Sequence, residues 1–209
     1  MNGARSGHLD MERIGLKIAL AVGVWLAAAA AAQAESPAIR NCTWCHGGSA
    51  QGYTPAPRLA GQRPQYLENQ LVAFVRHTRD GPQSKLYMWG AARSLSGQAV
   101  HDLATYFAAL PPRAASDGDP ELTALGRTIY QEGMPDANIV ACVVCHGPNA
   151  EGVREIPRLG GLAYSYLKRR LAQWGQGYSA GTPPPMPDIA GKLSPNQVEA
   201  LASYLSFIK

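Results

Sequence analysis

The chain has 209 residues, 46% of them apolar and 16% charged, and carries a formal charge of +4 at neutral pH. That length leaves ample room for two small domains, even after an N-terminal leader is set aside. No glycine-rich phosphate loop and no Ser/His/Asp grouping stands out, so nothing marks the chain for nucleotide binding or acyl transfer.

The N-terminus reads as a secretory leader. Arg13 and Lys17 precede an apolar run from Ile18 to Ala32, and Ala32-Gln33-Ala34 then supplies a small-x-small cleavage signal. The run is short for a membrane span, which takes about 20 apolar residues. Residues 1–34 are expected to be removed after Ala34, with Met11 a candidate start and an uncleaved anchor the competing reading. The remaining 175 residues keep 16 basic and 13 acidic side chains. Residues 35–115 hold eight basic and four acidic groups, and residues 116–209 hold eight and nine. Such a dipole can orient a redox partner on encounter; an accident of surface composition is the alternative.

Seven residues after that cleavage point comes Cys42-Thr43-Trp44-Cys45-His46, and one hundred positions later Cys142-Val143-Val144-Cys145-His146. Cys-x-x-Cys-His is the attachment signature of c-type haem. Two thiols about one helical turn apart can each add to a haem vinyl group, and the following histidine then reaches the iron. These are the only four cysteines, so none remains for a disulfide. A shared four-cysteine zinc site and a thioredoxin-like dithiol are the competing readings. Both leave the adjacent histidines without a role. Two haems would add four propionates and bring the chain near neutrality, so its basic balance does not indicate nucleic-acid binding.

The repeat continues past the motifs. Pro57-Arg58-Leu59-Ala60-Gly61 answers Pro157-Arg158-Leu159-Gly160-Gly161, and Tyr66-Leu67, Leu71 and Phe74 answer Tyr166-Leu167, Leu171 and Trp174. The offset then becomes 98: Met88 matches Met186, Leu95-Ser96 matches Leu193-Ser194, and Tyr106 matches Tyr204. Tyr66, Leu67, Gln70, Leu71 and Phe74 share a helical face, as do their counterparts. Ser96 and Ser194 open a closing helix in each unit, and Ser194-Pro195-Asn196-Gln197 has the pattern of a capping box. No alternating strand pattern appears. The domains are read as 35–110 and 121–209, with the Pro111–Pro120 stretch as linker.

Methionine is scarce. Outside the leader there are three: Met88, Met134 and Met186. Met88 and Met186 each stand seven residues before the Leu-Ser of a closing helix, which makes them candidate distal iron ligands opposite His46 and His146. Met134 has no repeat partner and reads as core packing. Of the remaining histidines, His77 and His101 are the alternatives to Met88 at an iron, and both are read as surface residues. Arg58 and Arg158, beside the haem-facing segment in each copy, are candidates for haem propionate contacts; plain surface arginine is the competing reading. Lys168-Arg169-Arg170 reads as a solvated helix face.

Taken together, Cys-x-x-Cys-His-Gly, Pro-Arg-Leu-x-Gly, Tyr-Leu-x-x-x-Leu and Met before Leu-Ser resemble class I cytochromes c. The tandem arrangement over residues 36–209 is similar to the dihaem cytochrome c4 family. The resemblance implies an all-α protein of two tandem class I cytochrome c domains, each wrapped around one covalently bound haem, with the two haems near the domain interface. It also implies that the Pro57 and Pro157 carbonyls accept the second imidazole N–H of His46 and His146. Two departures stand out. Cleavage after Ala34 leaves seven residues before Cys42, too few for the N-terminal helix usual in that family, which the second unit has around Leu122–Glu132. Met88 also lacks the proline-rich lead-in Thr182-Pro183-Pro184-Pro185 of Met186, so its loop is expected to be less rigid.

An iron with His and Met on its two axial sides keeps no open position and changes oxidation state with little movement. The expectation is a periplasmic electron carrier with two haem c groups, soluble or peripherally membrane-associated. Its donor would be a quinol–cytochrome c reductase or a dehydrogenase, and its acceptor a terminal oxidase. The alternatives are an electron-transfer subunit of a dehydrogenase complex, or a dihaem redox enzyme of peroxidase or thiosulfate-oxidising type.

Overall fold

In the computed structural model, residues 36–178 and 185–209 are described. The leader read at 1–34 and most of the proline-rich lead-in to Met186 lie outside them. The described residues form helices and turns, with isolated bridges such as Tyr53 to Ala56 and Val153 to Ile156 in place of strands.

The first repeat opens with α1 (Pro37–His46), which carries the first Cys-x-x-Cys-His motif in its last turns. Next comes α2 (Pro64–Val75), started by a proline whose fixed φ suits a first helical turn. A π-helical turn (Ser84–Met88) runs into α3 (Trp89–Ala92). The closing helix α4 (Gly97–Ala109) is capped by Ser96, whose side chain accepts the Ala99 N–H.

In the second repeat a 3-10 turn (Pro120–Leu122) leads into α5 (Thr123–Glu132), and a second such turn follows at Pro135–Ala137. The motif then sits on the short α6 (Val143–His146), ahead of α7 (Tyr164–Gly175) and α8 (Met186–Ala190). The closing helix α9 (Pro195–Phe207) has the expected capping box: Ser194 accepts the Gln197 N–H and the Gln197 side chain accepts the Ser194 N–H.

Each repeat has its own core. In the first, Leu67 meets Leu103, Ala104 and Phe107 above Ala50 and Ala60. In the second, Ile129 and Tyr130 meet Leu167, Leu201, Ala202 and Leu205 above Ala150 and Leu162. Met134 packs against this second core.

The copies differ at the edge the sequence singled out. In the second repeat α5 crosses α9 so closely that a Cβ on Gly126 would lie 2.0 Å from the Ala200 carbonyl oxygen. In the first, α1 runs straight into the motif, and only Ala38, Ile39 and Cys42 of that helix pack against the core below α4.

Residues 38–209 hold together as one unit, and the join between the repeats is polar. Arg58, 5% exposed, donates from Nη1 to the carbonyls of Arg113 and Gly161 and from Nη2 to that of Gly160. The Gln62 side chain pairs with both backbone groups of Arg158, accepting its N–H at 2.7 Å and donating to its carbonyl at 2.9 Å. Gly161 is at φ +72, and a Cβ there would lie 2.8 Å from Arg58 Nη1, so this close approach requires glycine.

The Pro111–Pro120 stretch is pinned at several points. Gln51 brackets Pro111 and Arg113, Ala115 donates to Gly161, and Ser203 and Ser206 of α9 accept from Asp119 and Gly118.

The basic run on α7 corrects the solvated-face reading. Arg169 donates across the join to the Pro55 carbonyl at 2.8 Å, and Arg170 lies over the Trp174 ring at 4.3 Å. Lys168 makes an ordinary surface pair with Glu199.

Candidate haem sites

Both motif histidines are held the same way. His46 is 6% exposed and its Nδ1 lies 2.7 Å from the Pro57 carbonyl; His146 is 4% exposed and its Nδ1 lies 3.0 Å from the Pro157 carbonyl. A carbonyl can only accept, so Nδ1 carries the proton and Nε2 keeps its lone pair. Burial lowers both imidazole pKa values, with the proline carbonyl opposing the shift. Each ring is therefore a neutral, oriented imidazole whose Nε2 is available to a metal. The Pro57 and Pro157 contacts are those the resemblance implied.

Cys42 and Cys142 lack the depressed pKa of a reactive thiol. Burial, followed by the charge of Cys45, pushes the Cys42 thiol up, and burial pushes Cys142 up to about 11. Such thiols stay protonated, whereas a reactive dithiol needs a depressed value. Among the described residues no three His, Cys, Asp or Glu side chains converge as metal ligands, so the two pairs do not join in a four-cysteine zinc site. Cys45 and Cys145 face outward, as do Trp44 and Val144 at the same motif position in each repeat.

Met88 closes the π-helical turn and Met186 opens α8; both are half-buried. The alternatives to Met88 have other partners. His101 is exposed and its Nδ1 lies 2.7 Å from Glu68 Oε1. His77 is exposed and stacks on Trp89, with ring centroids 4.0 Å apart.

Arg58 differs from plain surface arginine, and its two terminal nitrogens are turned across the join. Its Nε is nevertheless buried without a partner, and so is Nε of Arg158 at the matching repeat position. Arg63 Nε and Trp174 Nε1 share that condition. A buried N–H without an acceptor costs about 1–3 kcal/mol, so this set fits a group that brings acceptors of its own.

Charge points the same way. Burial and then Arg158 depress Arg58 to about 10. A buried guanidinium with a second one near it is favoured by an anionic group beside it. The carboxylates of a haem would supply both the acceptors and the charge.

Sequence reasoning missed Gln62, whose repeat counterpart is Leu162, and Arg79. Arg79 donates to Gln70 at 2.7 Å and to the Tyr166 hydroxyl at 3.2 Å across the join. Arg79 and Arg170 lower the Tyr166 pKa, while burial raises that of Tyr66. The signal for Gln62 was its break in the repeat: a polar side chain where the duplicate has an apolar one.

Two helical units, each with a Cys-x-x-Cys-His turn beneath a closing helix, are the architecture of a two-domain c-type cytochrome. The family model described as cytochrome c matches residues 28–111 and 123–209. Cytochrome c-552 of Acidithiobacillus ferridurans is 35% identical over 86% of this chain and 80% of its own length. The thiosulfate dehydrogenase electron acceptor of Thiomonas intermedia is 34% identical over 95% of this chain and 92% of its own. The solved structure of Acidithiobacillus ferrooxidans cytochrome c4 superposes with a TM-score of 0.75 at 34% identity, covering 80% of this chain and 98% of that one. The chain belongs to the cytochrome c family. Within it, the tandem order is that of cytochrome c4, and the chain accordingly carries two covalently bound haem c groups.

Proposed function

We propose that this chain is a periplasmic electron carrier with two complete haem sites. Cys42, Cys45, His46 and Met88 serve the first, and Cys142, Cys145, His146 and Met186 the second. The observation that carries this reading is the matched pair of buried imidazoles, each anchored through Nδ1 to a proline carbonyl eleven residues on. When bound, each haem supplies a one-electron couple, and Met/His ligation favours a higher potential than two histidines. The protein's part is orientation and electrostatics. Pro57 and Pro157 hold the rings and raise their basicity, the cysteine pairs fix the group in either oxidation state, and Arg58 and Arg158 direct Nε at propionates.

The partner classes are a quinol–cytochrome c reductase or a dehydrogenase as donor and a terminal oxidase as acceptor. The name of the Thiomonas relative, an electron acceptor of thiosulfate dehydrogenase, supports a dehydrogenase as donor. The leader read at 1–34, cleaved after Ala34, accounts for export. The test is a redox titration of the purified holoprotein with optical spectra. Two one-electron steps and the far-red charge-transfer band of methionine-ligated ferric haem are expected. A high-spin ferric spectrum or peroxide turnover would sink the carrier reading in favour of an enzyme.

A further inference from the structure

His77 sits in the left-handed region at φ +59, and its repeat counterpart is Gly177 at φ +78. That region favours glycine, although histidine enters it more readily than most residues. The first repeat thus places an imidazole where the second needs only a turn. The ring stacks on Trp89 at a centroid distance of 4.0 Å and an interplanar angle of 12°. Trp89 also donates its indole N–H to the Arg79 carbonyl at 3.0 Å.

Trp89 follows Met88 directly, and its backbone N–H closes the π-helical turn on the Ser84 carbonyl. The turn that presents His77 and Arg79 is tied back to α2, by His77 N–H to Phe74 and by Thr78 and Arg79 N–H to Ala73. Arg79 is held in turn by Gln70 and by Tyr166 of the second repeat. The second repeat has Pro187 where the first has Trp89.

We propose that Trp89, clamped between the His77 ring and the Arg79 carbonyl, is the positioning residue for Met88, taking the place of the prolines that precede Met186. This rests on the reading of Met88 as an iron ligand. A methionine–iron bond is readily displaced, so the ligand stays on only if its backbone is already in place. The clamp fixes the residue after Met88 from the side and from below, and through Arg79 ties that fix to the second domain.

The test uses oxidised holoprotein and the variants Met88→Ala, Trp89→Phe, His77→Gly and His77→Asn. The readouts are the far-red methionine–iron band during an alkaline titration, the two reduction potentials, and thermal stability. Met88→Ala comes first and must remove one of two methionine contributions. If both contributions survive it, the ligand reading fails and the clamp falls with it.

If one contribution is lost, Trp89→Phe and His77→Gly are each expected to raise the methionine-off population of that haem about tenfold, the effect of one net hydrogen bond or stack. The alkaline midpoint of that haem then falls by about one pH unit, while the Met186 haem stays unchanged as internal control. His77→Gly relieves the left-handed backbone, so a merely structural histidine would show equal or greater thermal stability with an unmoved midpoint. His77→Asn tolerates the same backbone without the ring and should behave as His77→Gly does. Unchanged midpoints and potentials in Trp89→Phe and both His77 variants would overturn the clamp while leaving Met88 as ligand.

Discussion

Replacing Arg58 with methionine tests how the two repeats are joined. Methionine keeps most of the stem's volume but removes the guanidinium. Three carbonyls then lose a donor: Arg113, Gly160 and Gly161. Gly161 still accepts from Ala115, and the Arg113 carbonyl lies in an exposed residue and can turn to water. Gly160 is buried, and an unmet buried carbonyl costs about 1–3 kcal/mol. The lost second bond at Gly161 adds about 1 kcal/mol. Relief of the buried charge, which burial and Arg158 already strain, returns part of the total. The net is a loss of about 2 kcal/mol, or roughly thirtyfold in the equilibrium between joined and separated domains. The loss should appear at the join and leave the axial ligation of each haem in place, while the propionate proposed to face Arg58 Nε loses that donor.

Limited proteolysis of the Pro111–Pro120 stretch in the holoprotein reads that equilibrium directly when opening is fast relative to cleavage. Nicking should accelerate by about the same thirtyfold, with the methionine–iron band intact in both domains. Gln62→Leu, which installs the residue found at Leu162, should act in the same direction. An Arg58→Met protein nicked at the wild-type rate and unfolding at the wild-type denaturant midpoint would refute this account of the join.

Gly126→Val should destabilise the second domain by about 3 kcal/mol or more, because the new side chain enters space held by the Ala200 carbonyl; two-step thermal unfolding, with one of the two methionine–iron contributions lost first, is the readout. Trp174→Phe should move one of the two reduction potentials and leave the other, on the proposal that its buried, unpartnered indole N–H meets a haem carboxylate; two unmoved potentials would mean that the N–H faces no such group. His101→Ala should change stability by no more than about 0.5 kcal/mol and leave both methionine bands intact, because His101 is itself exposed and pairs with a half-buried Glu68.

The local devices were legible because they are written in short windows. Ser194 and Gln197 spell their capping box in four residues, and the Cys-x-x-Cys-His turns need only five. The Pro57 and Pro157 contacts came through the family resemblance, since nothing in a Pro-Arg-Leu string alone aims a carbonyl at an imidazole. The join was not legible. Arg58 meets carbonyls more than one hundred residues away, and long-range contacts to main-chain oxygen leave no pattern in the partner's side chains. Arg169 and Arg170 failed as a solvated face for the same reason: a helix that looks amphipathic alone buries its basic side when a second domain lies against it. His77 was readable only in part. Aligning it with Gly177 exposes the unusual backbone, but the stack on Trp89 needed coordinates.

Gln62 and Arg58 make the join unequal in a way that bears on how the two halves tolerate change. The first repeat contributes side chains there, while residues 158–161 of the second answer with main chain. A substitution at Arg158 leaves its N–H and carbonyl in place for Gln62, but Gly160 has no room for a side chain, since a Cβ there would lie 2.8 Å from the Asn149 carbonyl oxygen. Around Arg58 and Gln62 the second half can therefore vary at Arg158 while Gly160 and Gly161 stay fixed, whereas one substitution at Arg58 or Gln62 undoes several bonds together. For a duplicated protein, the constraint at this point of the join falls on side chains in the first copy and on glycines in the second.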